Sequence, residues 1–114
     1  MVSIPTFKKM ALSFNESEES LHFENISFRV KKKIFATLSE NNVRACLKFN
    51  EIDQSTFCSF DQSVIYPVPN KWGKQGWTFV ELKKVKKQTL LDALTTSYCT
   101  VAPKKLAEVY RQGM

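Results

Sequence analysis

The chain has 114 residues, 43% of them hydrophobic and 25% charged, which is enough apolar material for one core without disulfides or a structural metal. It is neither disordered in composition nor long enough for a second folded unit, so the expectation is a single domain over residues 1–114. The net charge of +6 is unevenly placed: residues 1–70 hold eight Lys/Arg and eight Asp/Glu, residues 71–114 nine against three.

The first predicted element is a short amphipathic helix carrying Phe7, Met10, Ala11 and Phe14, ending by Asn15. The following Asn15–Ser20 stretch reads as an acidic loop, and its Glu16, Glu18 and Glu19 lack the spacing of a cation site. From Leu21 to Phe49 apolar residues alternate in three series, Ile26/Phe28/Val30, Ile34/Ala36/Leu38 and Val43/Ala45/Leu47/Phe49. Three antiparallel strands are predicted, with turns at Lys31–Lys33 and at Glu40–Asn42, where the asparagines suit left-handed backbone.

Asn50 is the predicted cap of a second helix with Asp53 at its third position and Ile52, Phe57 and Phe60 as apolar contacts. Pro67 and Pro69 keep the Ser63–Gln75 segment from being a regular central strand throughout, and alternation returns from Gly76 to Val85. Thr89 with Asp92 reads as the start of a helix whose stripe is Leu90, Leu91, Leu94, Tyr98 and Val101. Pro103 ends it and opens a last helix, Lys104–Arg111, with Leu106, Val109 and Tyr110 as contacts. Strands joined by short turns, with helices grouped between them, define an α+β fold: a single antiparallel sheet with helices on one face.

Chemistry-bearing motifs are sparse. Cys46, Cys58 and Cys99 are widely spaced, which suits free thiols in a reducing cytoplasm. His22 is the only histidine, and neither a GxSxG elbow, a P-loop nor a GxGxxG accompanies it, so the expectation is a protein that is not an enzyme and uses no metal or cofactor. A catalytic pocket near His22 remains the third-ranked reading. The N-terminus lacks the charge arrangement of a secretory leader and no segment has the length of a membrane span, which predicts a cytoplasmic protein without membrane contact.

Strict alternation places Arg29, Lys31, Lys33, Phe35, Thr37, Arg44, Cys46, Lys48, Trp77 and Phe79 on the sheet face away from the core. Cations mixed with aromatic rings are what single-stranded nucleic-acid binders use for phosphate neutralisation and base stacking, while a covering helix or partner subunit is the competing expectation. The Trp72-Gly73-Lys74-Gln75-Gly76-Trp77 stretch, with Lys71 before it, reads either as a cationic wing or as a stapled connection.

The stretches KKMALSF, LHFENISFRVKKKIFATL, YPVPNKWGKQGWTFVEL and SYCTVAPKKL together resemble the MmcQ/YjbR family over almost the whole chain. The family pattern falls on His22, Phe23, Phe28, Arg29, Lys33, Phe35, Trp72, Gly73, Gly76, Trp77, Ala102, Pro103 and Lys104; Lys32 stands where Gly is frequent and Ile26 where Pro is frequent. The resemblance implies an α-β(3)-α-β(2)-α domain, similar in fold to type III secretion chaperones, and DNA binding through a double-wing motif. On that reading Arg29, Lys31, Lys32, Lys33, Arg44, Lys48, Lys71 and Lys74 would contact phosphate, and Trp72 or Trp77 would stack or wedge, with little sequence readout. The alternative is a protein-interaction or chaperone-like module whose aromatic face meets a partner or a second copy.

Overall fold

The computed structural model describes residues 1–22 and 24–111, with the side chain of His22 also outside the description. The family-pattern positions Phe23 and the His22 side chain therefore lie outside the described residues. Eleven elements follow in chain order: α1 (Ile4–Leu12), β1 (Ser17–His22), β2 (Asn25–Val30), β3 (Lys33–Ser39), β4 (Arg44–Lys48), α2 (Glu51–Cys58), β5 (Ile65–Pro67), α3 (Lys71–Lys74), β6 (Trp77–Glu81), α4 (Lys87–Val101) and α5 (Lys104–Arg111). The strands form one antiparallel sheet in the order β1-β2-β3-β4-β6-β5.

Period-2 burial explains the sheet's two faces. The row Ile26–Leu38–Ala45–Val80–Ile65 and the row Phe28–Ala36–Leu47–Thr78 run across neighbouring strands and are buried. Helices cover this inner face. Phe7 of α1 meets Phe28 edge-on at 5.6 Å, and α4 packs Leu90, Ala93, Leu94, Ser97 and Tyr98 against β3 and β4. The opposite rows, Thr37–Cys46–Phe79–Tyr66 and Lys48–Trp77, stay partly exposed.

The sheet differs from the sequence expectation in two places. The acidic stretch expected as a loop forms β1, an edge strand paired with β2 from Ser17↔Val30 to His22↔Asn25, so the first meander has four strands rather than three. β1 has no buried face, and Leu21 is 76% exposed, so alternation of apolar residues could not announce it. The second difference is a bulge. Phe28 pairs with Ala36 but Arg29 with Ile34, leaving Phe35 as the extra residue. Parity shifts there, and Phe35, expected outward beside Thr37, is fully buried with Ala36, packed on Phe14 at 6.1 Å and Tyr98 at 5.5 Å.

Ser97 of α4 occupies the place where the β3–β4 ladder would continue. Its hydroxyl donates to the Phe35 carbonyl at 2.5 Å and accepts from the Lys48 N–H at 3.0 Å, satisfying two backbone groups next to the Ala36↔Leu47 pair, where the β3–β4 register ends. Tyr98 and Tyr110 fasten the loop after α1: the Tyr98 hydroxyl donates to the Asn15 carbonyl at 2.6 Å, and the Asn15 N–H donates to the Tyr110 hydroxyl at 2.7 Å.

Helix ends follow side-chain chemistry. Ser3 caps α1, and Asn50 caps α2 by accepting from the Asp53 N–H at 2.7 Å, as its spacing predicts. α4 begins at Lys87, two residues before the predicted Thr89, and its capping position Lys86 makes no side-chain cap bond. Four expected core contacts are outside instead: Ile52 and Phe60 on the α2 segment, Leu91 on α4 and Val109 on α5 are exposed, while Ala107 takes the buried place on α5.

Both turns of the β2–β3–β4 meander carry positive φ on residues other than glycine. Lys31 and Lys32 have φ of 50° and 68°, the pair of left-handed residues that a two-residue type I′ hairpin turn requires. In the next turn the left-handed residue is Val43, at φ 50°, rather than either asparagine. Lys32→Gly is expected to stabilise the fold by about 1 kcal/mol, because glycine meets no Cβ penalty at that φ. Urea unfolding checks this, with Lys32→Gln, which removes the charge but keeps the strain, expected to stay near the parent protein.

Candidate nucleic-acid interface

Antiparallel pairing sorts the sheet into two ends. The β2–β3 turn, the last residue of β4 (Lys48), the first of β6 (Trp77) and the α3 turn that precedes β6 share one end; the β3–β4 turn and the chain after β6 share the other. Lys31, Lys32, Lys33, Lys48, Lys71, Trp72, Lys74 and Trp77 therefore gather at the first end, with Arg29 one row in from it. Arg44 does not join them. It starts β4 at the far end, opposite Glu81.

Several of these cations are already engaged. Arg29 lies 3.4 Å from the Glu18 carboxylate, and Lys31 2.6 Å from that of Glu16, which β1 and its preceding turn bring alongside. Arg44 stacks its guanidinium 4.0 Å from the Phe79 ring centre and faces the Tyr66 hydroxyl at 3.5 Å and the Glu81 carboxylate at 3.9 Å. Tyr66 in turn donates to Glu81, and burial together with that bond holds its phenol above the usual range. Lys48 donates to the Gln75 carbonyl with its ammonium 5.5 Å from the Trp77 ring centre, so Trp77 is a half-buried platform beneath it.

Lys32, Lys33, Lys71 and Lys74 are exposed and pair with no carboxylate among the described residues. Trp72, half exposed at 50%, stands among them, with the Lys71 ammonium 5.9 Å from its ring centre. Asn70 caps this single turn of helix by accepting from the Trp72 N–H at 2.8 Å. Gln54 of α2 fixes its exit by donating to the Gly73 carbonyl at 2.8 Å and the Thr78 hydroxyl at 3.1 Å.

The glycines of this loop serve packing. A Cβ on Gly73 would sit 2.0 Å from the Val68 carbonyl oxygen, and one on Gly76, at φ +106°, 1.9 Å from that of Phe49. The loop is thus a stapled connection in its backbone that leaves Lys71, Trp72 and Lys74 exposed.

On the outer face Cys46 stands between Thr37 and Phe79, and burial pushes its thiol up to about 11. Cys58 and Cys99 are likewise raised by burial, so the three free cysteines are protonated at neutral pH and weak nucleophiles. The described residues contain no cluster of ligands suited to a metal ion. No helix of the described chain is long and apolar enough to cross a membrane.

An open antiparallel sheet with helices packed on one face, ending in two lysine-bearing turns, defines an α+β protein rather than an α/β one. The model of the YjbR family matches residues 12–100, most of the chain, and the chain belongs to that family. The crystal structure of Deinococcus radiodurans protein DR2400, a DUF419-domain protein, is similar with a TM-score of 0.76 at 21% identity, over 88% of this chain and 78% of that one, a likeness of fold. Curated proteins yield no match.

Proposed function

We propose that the chain binds nucleic acid, DNA in the first instance, through the β2–β3 turn and the α3 turn at one end of the sheet. The observation that carries this reading is the set of exposed lysines without carboxylate partners, Lys32 and Lys33 on one turn and Lys71 and Lys74 on the other, with half-exposed Trp72 beside them. β4 stands between β3 and β6, the strands that the two turns lead into, so those strands lie on the order of 10 Å apart, two strand spacings. Lys48 lies between them. Such a surface neutralises phosphates without reading base edges, and Trp72 offers one face for stacking on an unpaired base.

Arg29, Lys31 and Arg44 contribute less, because each already has a carboxylate nearby. Titrating labelled single- and double-stranded oligonucleotides by fluorescence anisotropy tests the reading. With four lysines engaged, log K is expected to fall against log salt with a slope of about −3 to −4, and tryptophan emission to be quenched more by the single strand. Absence of binding at low salt would sink it.

One observation favours a protein-interaction reading: the outer face, with Tyr66, Trp77 and Phe79, is not covered by helices. Those rings are nonetheless occupied, Phe79 by Arg44 and Trp77 by Lys48, which leaves the face satisfied as it stands. Self-association through it predicts a mass that rises with concentration in light scattering; a constant monomer mass excludes it.

A further inference from the structure

The far end of the sheet carries a cavity that the lysine turns do not use. It has a volume of about 540 Å³ and opens between the end of α2, the start of β5 and the chain leading into α4. Phe57, Phe60, Val64 and Val85 form its apolar wall, and the exposed Lys84 and Lys86 also line it. Phe60 is 69% exposed, yet it is held edge-on to Phe57 at 6.2 Å, and Phe57 is stacked at 5.0 Å on the buried Phe49. An exposed ring braced on a buried aromatic stack is a preformed surface for another ring.

The acids lining the same cavity are spoken for. Asp61 accepts from the Ser63 N–H at 2.9 Å and the Ser63 hydroxyl at 2.7 Å, bonds that hold its carboxyl below the usual range, with Lys84 adding a smaller pull. Asp92 accepts from the Gln88 side chain at 3.0 Å. Lys84 and Lys86 balance these two carboxylates in the lining, and the exposed Lys83 and Lys87 beside them in the chain, outside the lining, give the surrounding surface a positive excess. The Thr89 hydroxyl also lines the cavity, a further donor.

We infer that this cavity binds a small organic anion, a carboxylate or phosphate joined to an aromatic or branched apolar body. The volume lies within the range filled by single small ligands, and an apolar wall beside exposed lysines turns the ligand's charge toward solvent. The inference does not rest on the nucleic-acid reading. The two sites sit at opposite ends of the five-residue strand β6 and share no side chain.

The test uses 2-naphthoate, with 2-naphthylmethylamine as the cation of matching shape, titrated into the isotopically labelled full chain and followed by NMR. Saturable shifts centred on Phe57, Val64, Val85 and Thr89 are expected for the naphthoate, with much weaker binding of the amine. Lys84→Gln combined with Lys86→Gln is expected to weaken naphthoate about tenfold, the loss of two lining charges. Phe60→Ala, at an exposed position that leaves the core intact, is expected to weaken both probes. Equal binding of the amine, shifts scattered over the surface, or an unchanged affinity in the double lysine variant would each overturn the inference.

Discussion

Gly76→Ala is expected to cost about 3–5 kcal/mol, a large share of the stability a domain of this size has to lose. Two penalties coincide at this position. The backbone stands at φ +106°, outside even the left-handed helical region that asparagine tolerates, and the added methyl would meet the Phe49 carbonyl oxygen at 1.9 Å. Moving apart is not a cheap escape, because the Phe49 N–H donates to the Gly76 carbonyl at 3.0 Å and the Thr78 hydroxyl to the same carbonyl at 3.0 Å. Phe49 itself is buried and stacked on Phe57, so displacing it disturbs the seat of α2. Urea unfolding should show the midpoint falling sharply with little change in slope. Gly73→Ala meets the Val68 carbonyl oxygen at 2.0 Å without the φ penalty, and should be damaging but milder. A loss under about 1 kcal/mol for Gly76→Ala would mean that the loop does not press on β4 as described.

The inner face was legible from alternation alone: Ile26 and Phe28, Ala36 and Leu38, Ala45 and Leu47, Thr78 and Val80 all point where period-2 burial puts them. What escaped has physical causes. β1 has water on both faces and two glutamates in its middle, so its pairing leaves no apolar trace in the sequence. Phe35 is turned inward by one extra residue in β3, and a bulge is a register event that no spacing of residue types announces. Strict alternation therefore assigned to the outer face a ring that belongs to the core. Of the ten residues read as a nucleic-acid surface, topology gathers nine near one end and sends Arg44 to the other, a division that only the strand order reveals. The partial neutralisation of Arg29 and Lys31 depends on the same unseen β1, which carries Glu18 alongside. The far cavity joins residues 56–65 to residues 84–92, segments that meet only because β5 and β6 pair.

Neutralising the four unpaired lysines together, as Lys32→Gln, Lys33→Gln, Lys71→Gln and Lys74→Gln, is expected to weaken DNA binding at low salt by about a hundredfold or more. Each phosphate contact releases roughly one counterion, so the slope of log K against log salt should flatten by about 3 to 4. The fold should tolerate the change, since all four side chains are exposed and none takes part in a cap or a buried bond. Net charge alone would also weaken binding, and a matched variant separates the two effects. Lys83, Lys84, Lys86 and Lys87, exposed at the far end, offer an equal count of charges for the same substitution. If the hairpin-end variant loses affinity and slope while the far-end variant keeps most of both, contact is local to the two turns. Equal losses in the two variants would reduce the interaction to long-range attraction by a basic protein and remove the turns as its interface.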